Sequence, residues 1–248
     1  MTDGETSARQ YDAMAAAYAA DTSQNACNAF YERPATIALL GEVAGRRVLE
    51  AGCGAGALTS WLVERGAQVT AFDISASMLA IARGLVGDRA TFIQADLAEP
   101  LAFAASGSFD LVVASLVLHY LRDWDPVLTE MRRVLCQDGR VVFSTHHPSM
   151  DWQLHSAEDY FAVKQVTETW SKGSQSFEVT FWRRPLTEMC RSISSAGFVI
   201  ERLVEPEPVA ELARRDPADD RRLRTAPGFL FFRLAPSPAL GTDDITRG

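Results

Sequence analysis

Glycines and acids are spaced in this chain as a nucleoside site would need them. The run Glu50-Ala51-Gly52-Cys53-Gly54-Ala55-Gly56 follows a short apolar stretch, and its glycines fall where a backbone must turn sharply and let a ligand approach with no Cβ in the way. Asp73 stands 21 residues beyond Gly52, at the end of the next strand, where a carboxylate can accept both ribose hydroxyls of a nucleoside seated over the turn. A glycine turn alone does not say which nucleoside, because nicotinamide, flavin and adenosylmethionine sites all use one. Asp96, in Gln94-Ala95-Asp96-Leu97, narrows the choice, since a carboxylate after a third strand can accept a hydrogen bond from the exocyclic adenine amine. A nicotinamide site does not need that second acid. The alternative for Asp96 is an N-cap or turn residue ahead of Ala98-Glu99-Pro100, and only its register with Gly52, Gly54 and Asp73 favours the adenine role.

A second set could move a proton. His146 and His147 close the segment Ser144-Thr145-His146-His147-Pro148, on the side of an α/β sheet where ligands bind, and either is a candidate general base. Pro148 holds His147 toward an extended backbone, which could aim its ring at a pocket, while the alternative is a turn that hydrogen-bonds its own loop. His119, in an apolar stretch, is the weaker candidate and is expected to be a hydrogen-bonded structural residue. Trp152, Tyr160, Phe161, Trp170, Phe181 and Trp182 could roof a flat organic acceptor or simply pack a hairpin. Arg183 and Arg184 could bind an acceptor carboxylate, and Glu205 is undecided. Cys27, Cys53, Cys136 and Cys190 are widely spaced, with no ligand spacing for zinc, so no metal is expected.

These residues need a scaffold that brings strand ends to one edge. Apolar runs at 46–51, 68–72, 90–94, 109–114 and 140–144 alternate with helical spacing at 75–85 and 125–135. Such alternation predicts parallel strands with right-handed crossovers and helices on both faces, with ligands beyond the carboxyl ends. After Pro148, alternating residues at 163–170 and 177–182 around Lys172-Gly173-Ser174 predict an antiparallel hairpin over the site. A helix at 186–196, strands at 198–204 and 228–234, and a charged helix near 209–215 follow. No repeat or linker divides the chain, which predicts one domain over 1–248: a cofactor-binding half at about 10–147, a substrate-lid and carboxyl-terminal half at about 148–235, and a flexible tail at 236–248. The first ten residues are likewise expected to be mobile.

The formal net charge is −8, from 24 Lys and Arg against 32 Asp and Glu. That balance repels a phosphate backbone, so nucleic acid is not an expected partner. Arg221, Arg222 and Arg224 follow Asp216, Asp219 and Asp220, as on a solvated helix that neutralises its own charge. No run of eighteen apolar residues and no basic-then-apolar leader is present, so no membrane partner and a cytoplasmic location are expected.

The ordered series Val48 to Gly56, Asp73, Asp96-Leu97, Phe109-Asp110-Leu111-Val112, Ser115 to Leu121 and Gly139-Arg140-Val141 resembles the motifs of class I S-adenosylmethionine-dependent methyltransferases. Gly197-Phe198, Glu205-Pro206 and the last apolar strand are similar to that family's carboxyl-terminal half. The resemblance implies a Rossmann-like, seven-stranded, mostly parallel sheet with an antiparallel last strand, helices on both faces, and the hairpin added as a lid. It implies S-adenosyl-L-methionine as cofactor, with Gly52, Cys53, Gly54 and Gly56 around the methionine moiety, Asp73 on the ribose, Ile74 and Met78 on the adenine faces, and Asp96 and Leu97 on its edge. Ser115 would meet the methionine portion. Tyr11-Asp12 and Tyr18 resemble a helix that closes over the cofactor, with Tyr18 and Arg33 toward its carboxylate; the alternative for the tyrosines is ordinary aromatic anchoring. The implied activity is in-line methyl transfer to an O or N atom of a small-molecule acceptor, with a homodimer left open. The rivals are a NAD-dependent oxidoreductase and a non-methylating S-adenosylmethionine-binding protein on the same fold.

Overall fold

The computed structural model describes residues 3–154, 159–172 and 175–238. In chain order the elements are α1 (Asp3–Thr22), a π-helical turn (Asn28–Glu32), α2 (Arg33–Leu40), β1 (Arg47–Ala51), α3 (Ala57–Glu64), β2 (Gln68–Asp73), α4 (Ala76–Val86) and β3 (Ala90–Gln94). Next come β4 (Phe109–Ala114), a 3-10 turn (Leu118–Tyr120), α5 (Asp125–Val134), β5 (Leu135–His146) and α6 (Pro148–Leu154). The chain continues through β6 (Lys164–Lys172), β7 (Gln175–Arg183), α7 (Leu186–Ser195), β8 (Phe198–Val204), α8 (Ala210–Arg215), α9 (Pro217–Thr225) and β9 (Phe229–Pro236).

Seven strands form one sheet in the order β3-β2-β1-β4-β5-β9-β8, and β6 pairs with β7 as a separate antiparallel hairpin. β1 pairs in parallel with both β2 and β4, whereas β9 runs antiparallel to both β5 and β8. The central strands are apolar on both sides because both faces are covered. Leu49, Ala51, Val112, Ala114, Val141 and Phe143 feed one core cluster, while their neighbours Val48, Leu111, Val113 and Val142 feed the other. The sequence progression reverses direction between β1 and β4, and the loops after these two strands open a crevice there.

The structure departs from these expectations at both ends of the chain and around β5. Residues 3–10 are helical: α1 begins at Asp3 and is tied down by buried Met14 and by Asp12, whose Oδ1 accepts from Ser75 Oγ at 2.6 Å and from the Ser77 N–H at 3.0 Å. A carboxylate at the first turn of α4 complements that helix end, and the Ser75 hydrogen bond foremost holds the Asp12 carboxyl below its usual range. β5 is longer than the predicted run, because a register shift against β4 between Phe109 and Leu111 absorbs the residues around Gly139. At the other end the strand runs on to His146, paired with Phe229, instead of stopping at Ser144, and α6 follows from Pro148. Of the expected flexible tail, Pro236 ends β9 opposite Phe198, and residues 239–248 lie outside the described residues, as do residues 173–174, where the sequence predicts the hairpin's turn. No described helix is long and apolar enough to cross a membrane.

Candidate active site

The turn after β1 is built by left-handed glycines, with φ of 69° at Gly52, 51° at Gly54 and 85° at Gly56. Each does a different job. A Cβ on Gly52 would lie 2.7 Å from Val117 Cγ2, so glycine lets the turn pass beneath the loop after β4. A Cβ on Gly54 would meet nothing within 4 Å, which leaves open space above its backbone. A Cβ on Gly56 would lie 2.9 Å from Ala82 Cβ, so this third glycine serves the close packing of α3 on α4.

Asp73 locks the turn. Its Oδ2 accepts from the Gly54 N–H at 2.8 Å and its Oδ1 from the Ser75 N–H at 2.9 Å, while burial pushes its carboxyl up. Each oxygen keeps further lone-pair capacity for a ligand. Gly52, Gly54, Asp73, Ile74, Asp96, Leu97, Ser115 and Tyr18 line one cavity together with Gly4, Ser7, Tyr11, Phe72, Leu116, Val117 and Tyr120. Asp96 Oδ1 accepts from the Ala98 N–H at 2.8 Å, so it is a turn residue as well as a wall residue. Ser115 Oγ is buried with no hydrogen-bond partner among the described residues. Paired acceptors at one end, apolar Ile74, Leu97 and Phe72 walls, glycine backbone and an unsatisfied hydroxyl suit an adenosine carrying a polar tail.

Besides Gly56, four expected residues line neither this cavity nor the one beside it. The Cys53 side chain belongs to the core against Leu58 and Leu62, and its N–H donates to the Phe72 carbonyl at 3.1 Å. Met78 is fully buried under α4. Arg33 Nη2 donates to the Thr22 carbonyl at 3.1 Å, which clamps the end of α1. His147 Nδ1 accepts from the Ser149 N–H at 3.2 Å and its Nε2 lies 2.7 Å from Glu205 Oε1, so it fastens the start of α6 to the loop after β8. With Nδ1 accepting, Nε2 carries the proton and donates to Glu205. The neighbouring arginines are also structural. Arg183 donates to the Asp159 and Tyr160 carbonyls, and Arg184 donates to those of Leu121 and Arg122 while stacking 4.3 Å over Trp124.

A second cavity of about 480 Å³ adjoins the first, and both share Tyr11, Tyr18, Leu116 and Tyr120 as wall. Tyr11 and Tyr120 hydroxyls are 2.5 Å apart, Tyr11 meets Tyr18 edge-on at 5.3 Å, and burial pushes the Tyr18 phenol up to about 12. These rings stay neutral and pack on the hairpin through Val179 and Phe181. Leu116 is the one described non-glycine residue at positive φ, 49°, a strained position held by its N–H to Ser144 at the joint between the cavities. The far wall carries His146 and His119, stacked at 3.9 Å with planes 19° apart. Contrary to expectation, His119 is not hydrogen-bonded: it is 2% exposed and neither ring nitrogen has a partner among the described residues. Burial first, then His146 and Arg184, holds it well below the usual histidine range and therefore neutral.

Sequence reasoning missed Gly4, Ser7 and Leu116, for which no local signal exists, and Asp151, whose Oδ1 lies 3.3 Å from His146 Nδ1. Asp151 stands five residues after His146, a spacing that becomes informative only once α6 is known to start at Pro148. Among the described residues, no group of three or more His, Cys, Asp or Glu is placed to hold a metal ion.

Residues 49–143 match the methyltransferase domain family Methyltransf_11. An S-adenosylmethionine-dependent methyltransferase from Mesorhizobium loti superposes with a TM-score of 0.68 at 26% identity, over 86% of this chain and 99% of that one. A [4+2]-cyclase, SpnF, superposes with a TM-score of 0.67 at 16% identity, over 96% and 98% of the two chains, a likeness of fold alone. The ubiquinone biosynthesis O-methyltransferase of Xanthomonas oryzae is 34% identical over 106 residues, which span 42% of this chain and 44% of that protein, less than half of either. The ordered motifs, the β3-β2-β1-β4-β5-β9-β8 sheet and the methyltransferase-domain match over residues 49–143 together support a class I S-adenosylmethionine-dependent methyltransferase.

Proposed function

We propose that this enzyme transfers a methyl group from S-adenosylmethionine to an oxygen or nitrogen atom of a small molecule held in the second cavity. The observation that carries this reading is the common wall of the two cavities, where Tyr18, Leu116 and Tyr120 stand between the glycine turn and the histidines. When bound, S-adenosylmethionine supplies a methyl carbon on a positively charged sulfur, which an acceptor lone pair displaces in line. Asp73 holds the ribose hydroxyls, Asp96 and Leu97 the adenine edge, Ile74 an adenine face, and Gly52, Gly54 and Ser115 the methionine portion. Tyr18 and Tyr11 close the joint with apolar ring faces and keep water from the reacting atoms. Alignment of this kind contributes about 7–11 kcal/mol to a displacement, so positioning is the main task of the chain. Of the two histidines expected to act on the acceptor, His146 is the one on the cavity wall.

Calorimetric titration with S-adenosylhomocysteine beside a matched titration with NAD tests the reading. Selective one-to-one binding of S-adenosylhomocysteine supports it. Binding of NAD alone refutes it, and cofactor binding without methyl transfer to any small acceptor turns the protein into a non-methylating relative.

A further inference from the structure

The second cavity contains polar chemistry that packing does not explain. His119 is 2% exposed, lines that cavity, and offers two ring nitrogens with no partner among the described residues. A structural histidine so deeply buried is normally hydrogen-bonded, so these nitrogens are polar groups that the packing beside the cavity leaves unsatisfied. His146, stacked on it, is 7% exposed, and its Nδ1 lies 3.3 Å from Oδ1 of Asp151, itself 2% exposed. That distance pairs the groups, though they are off the line of a good hydrogen bond, and both atoms are otherwise unpartnered. A carboxylate behind one nitrogen of an imidazole sets its tautomer and leaves Nε2 as the basic nitrogen. Asp151 also stands in the first turn of α6, where a carboxylate complements the helix N-terminus.

The walls also suggest the shape and charge of the acceptor. His119 and His146 lie nearly parallel, and Phe229 on the same wall is within 20° of His146, a set of ring faces suited to a flat molecule. Arg222, on the same wall, is ion-paired to Asp219 at 2.8 Å. An imidazole backed by a carboxylate is needed only when the nucleophile must lose a proton, as a phenolic hydroxyl with an ordinary pKa near 10 must at neutral pH.

We propose that Asp151, His146 and His119 form the acceptor-activating site of this enzyme, and that its acceptors are flat ring compounds bearing a hydroxyl, of the phenol or catechol class. This rests on the methyltransferase reading above. His146 Nε2 takes the hydroxyl proton, the O–H bonding pair stays on oxygen as the attacking pair, and the proton leaves His146 for water after transfer. Asp151 positions His146 and stabilises its imidazolium, and His119 hydrogen-bonds the acceptor from the neighbouring ring.

The test begins with ¹⁵N-histidine NMR of the wild-type protein loaded with S-adenosylhomocysteine. His146 is expected in the Nδ1-protonated tautomer, with 4-methylcatechol shifting the His146 and His119 resonances. Methyl transfer is then measured on a panel of phenols and catechols and on the matching anilines. Transfer to hydroxyl members is expected, with Asp151→Asn lowering kcat by about 100-fold or more, moving KM by less than about threefold, and abolishing the ascending pH limb of kcat. An Nε2-protonated His146 in the wild type overturns the assignment even if Asp151→Asn fails to fold. So does an unchanged pH profile in a folded Asp151→Asn, transfer to anilines alone, or no transfer to any panel member. Since S-adenosylhomocysteine binding is read separately, its absence would instead refute the methyltransferase reading itself.

Discussion

Replacing Asp73 with Asn exchanges one carboxylate oxygen for an NH₂ group and tests how the glycine turn and the cofactor site are joined. In the wild type one carboxylate oxygen serves the Gly54 N–H and the other the Ser75 N–H. The amide keeps one acceptor, so its NH₂ must face one of these N–H groups, and a buried donor left unsatisfied costs about 1–3 kcal/mol. On the cofactor side, the proposed ribose contact would lose one of two hydrogen bonds to a charged acceptor, worth about 1.5–3 kcal/mol, which corresponds to roughly 10- to 150-fold weaker binding. The assay is calorimetric titration of wild type and Asp73→Asn with S-adenosylhomocysteine, with urea unfolding of both to measure the stability term separately. A folded variant that binds within about threefold of wild type would show that Asp73 only shapes the turn, and the ribose role would fall.

The glycines should separate by mechanism. Gly56→Ala forces a left-handed alanine, at about 1–2 kcal/mol, against Ala82, adding about 1–3 kcal/mol of overpacking, and should lower the free energy of urea unfolding accordingly. Gly54→Ala meets no neighbour, so a smaller stability loss with a larger loss of S-adenosylhomocysteine affinity is expected from calorimetry. Glu50 is 3% exposed, accepts from Thr59 Oγ1 at 2.6 Å, and burial pushes its carboxyl up to about 8. Between its ordinary range and about pH 8 the native state holds a proton that the unfolded state has released, so this group makes stability fall as pH rises, by at most about 1.4 kcal/mol per pH unit. Above about pH 8 the effect levels off. Burial raises Glu32 and Asp73 in the same direction. Glu50→Gln, which keeps an acceptor for Thr59, should flatten the decline seen by urea unfolding from pH 5 to 8.5; an unchanged slope would show Glu50 ionised in the native state.

The strands, the glycine turn and the two acids after β2 and β3 were legible in the sequence because each is a local matter. Strand runs are continuous apolar stretches, and left-handed turns demand glycine whatever surrounds them. Asp73 and Asp96 are found by counting along the chain, and the sheet then brings them to one edge. The two histidines show the limit of that method. His146 and His147 are neighbours of one type in one motif, yet one ends a strand and the other precedes α6, which aims them apart, one at the cavity and one at Glu205. No local pattern separates them. Nor could composition show that α1 reaches back to Asp3 and sets Gly4 against Asp96, a contact 92 residues apart in which an added Cβ would clash. Cys53, Met78 and Arg33 follow the same logic, since their place in the motif is local but the direction of each side chain is settled by what the core needs there. Backbone chemistry is written in short stretches and survives as such in the sequence; cavity walls are assembled from distant segments, and only packing decides which side chains face them.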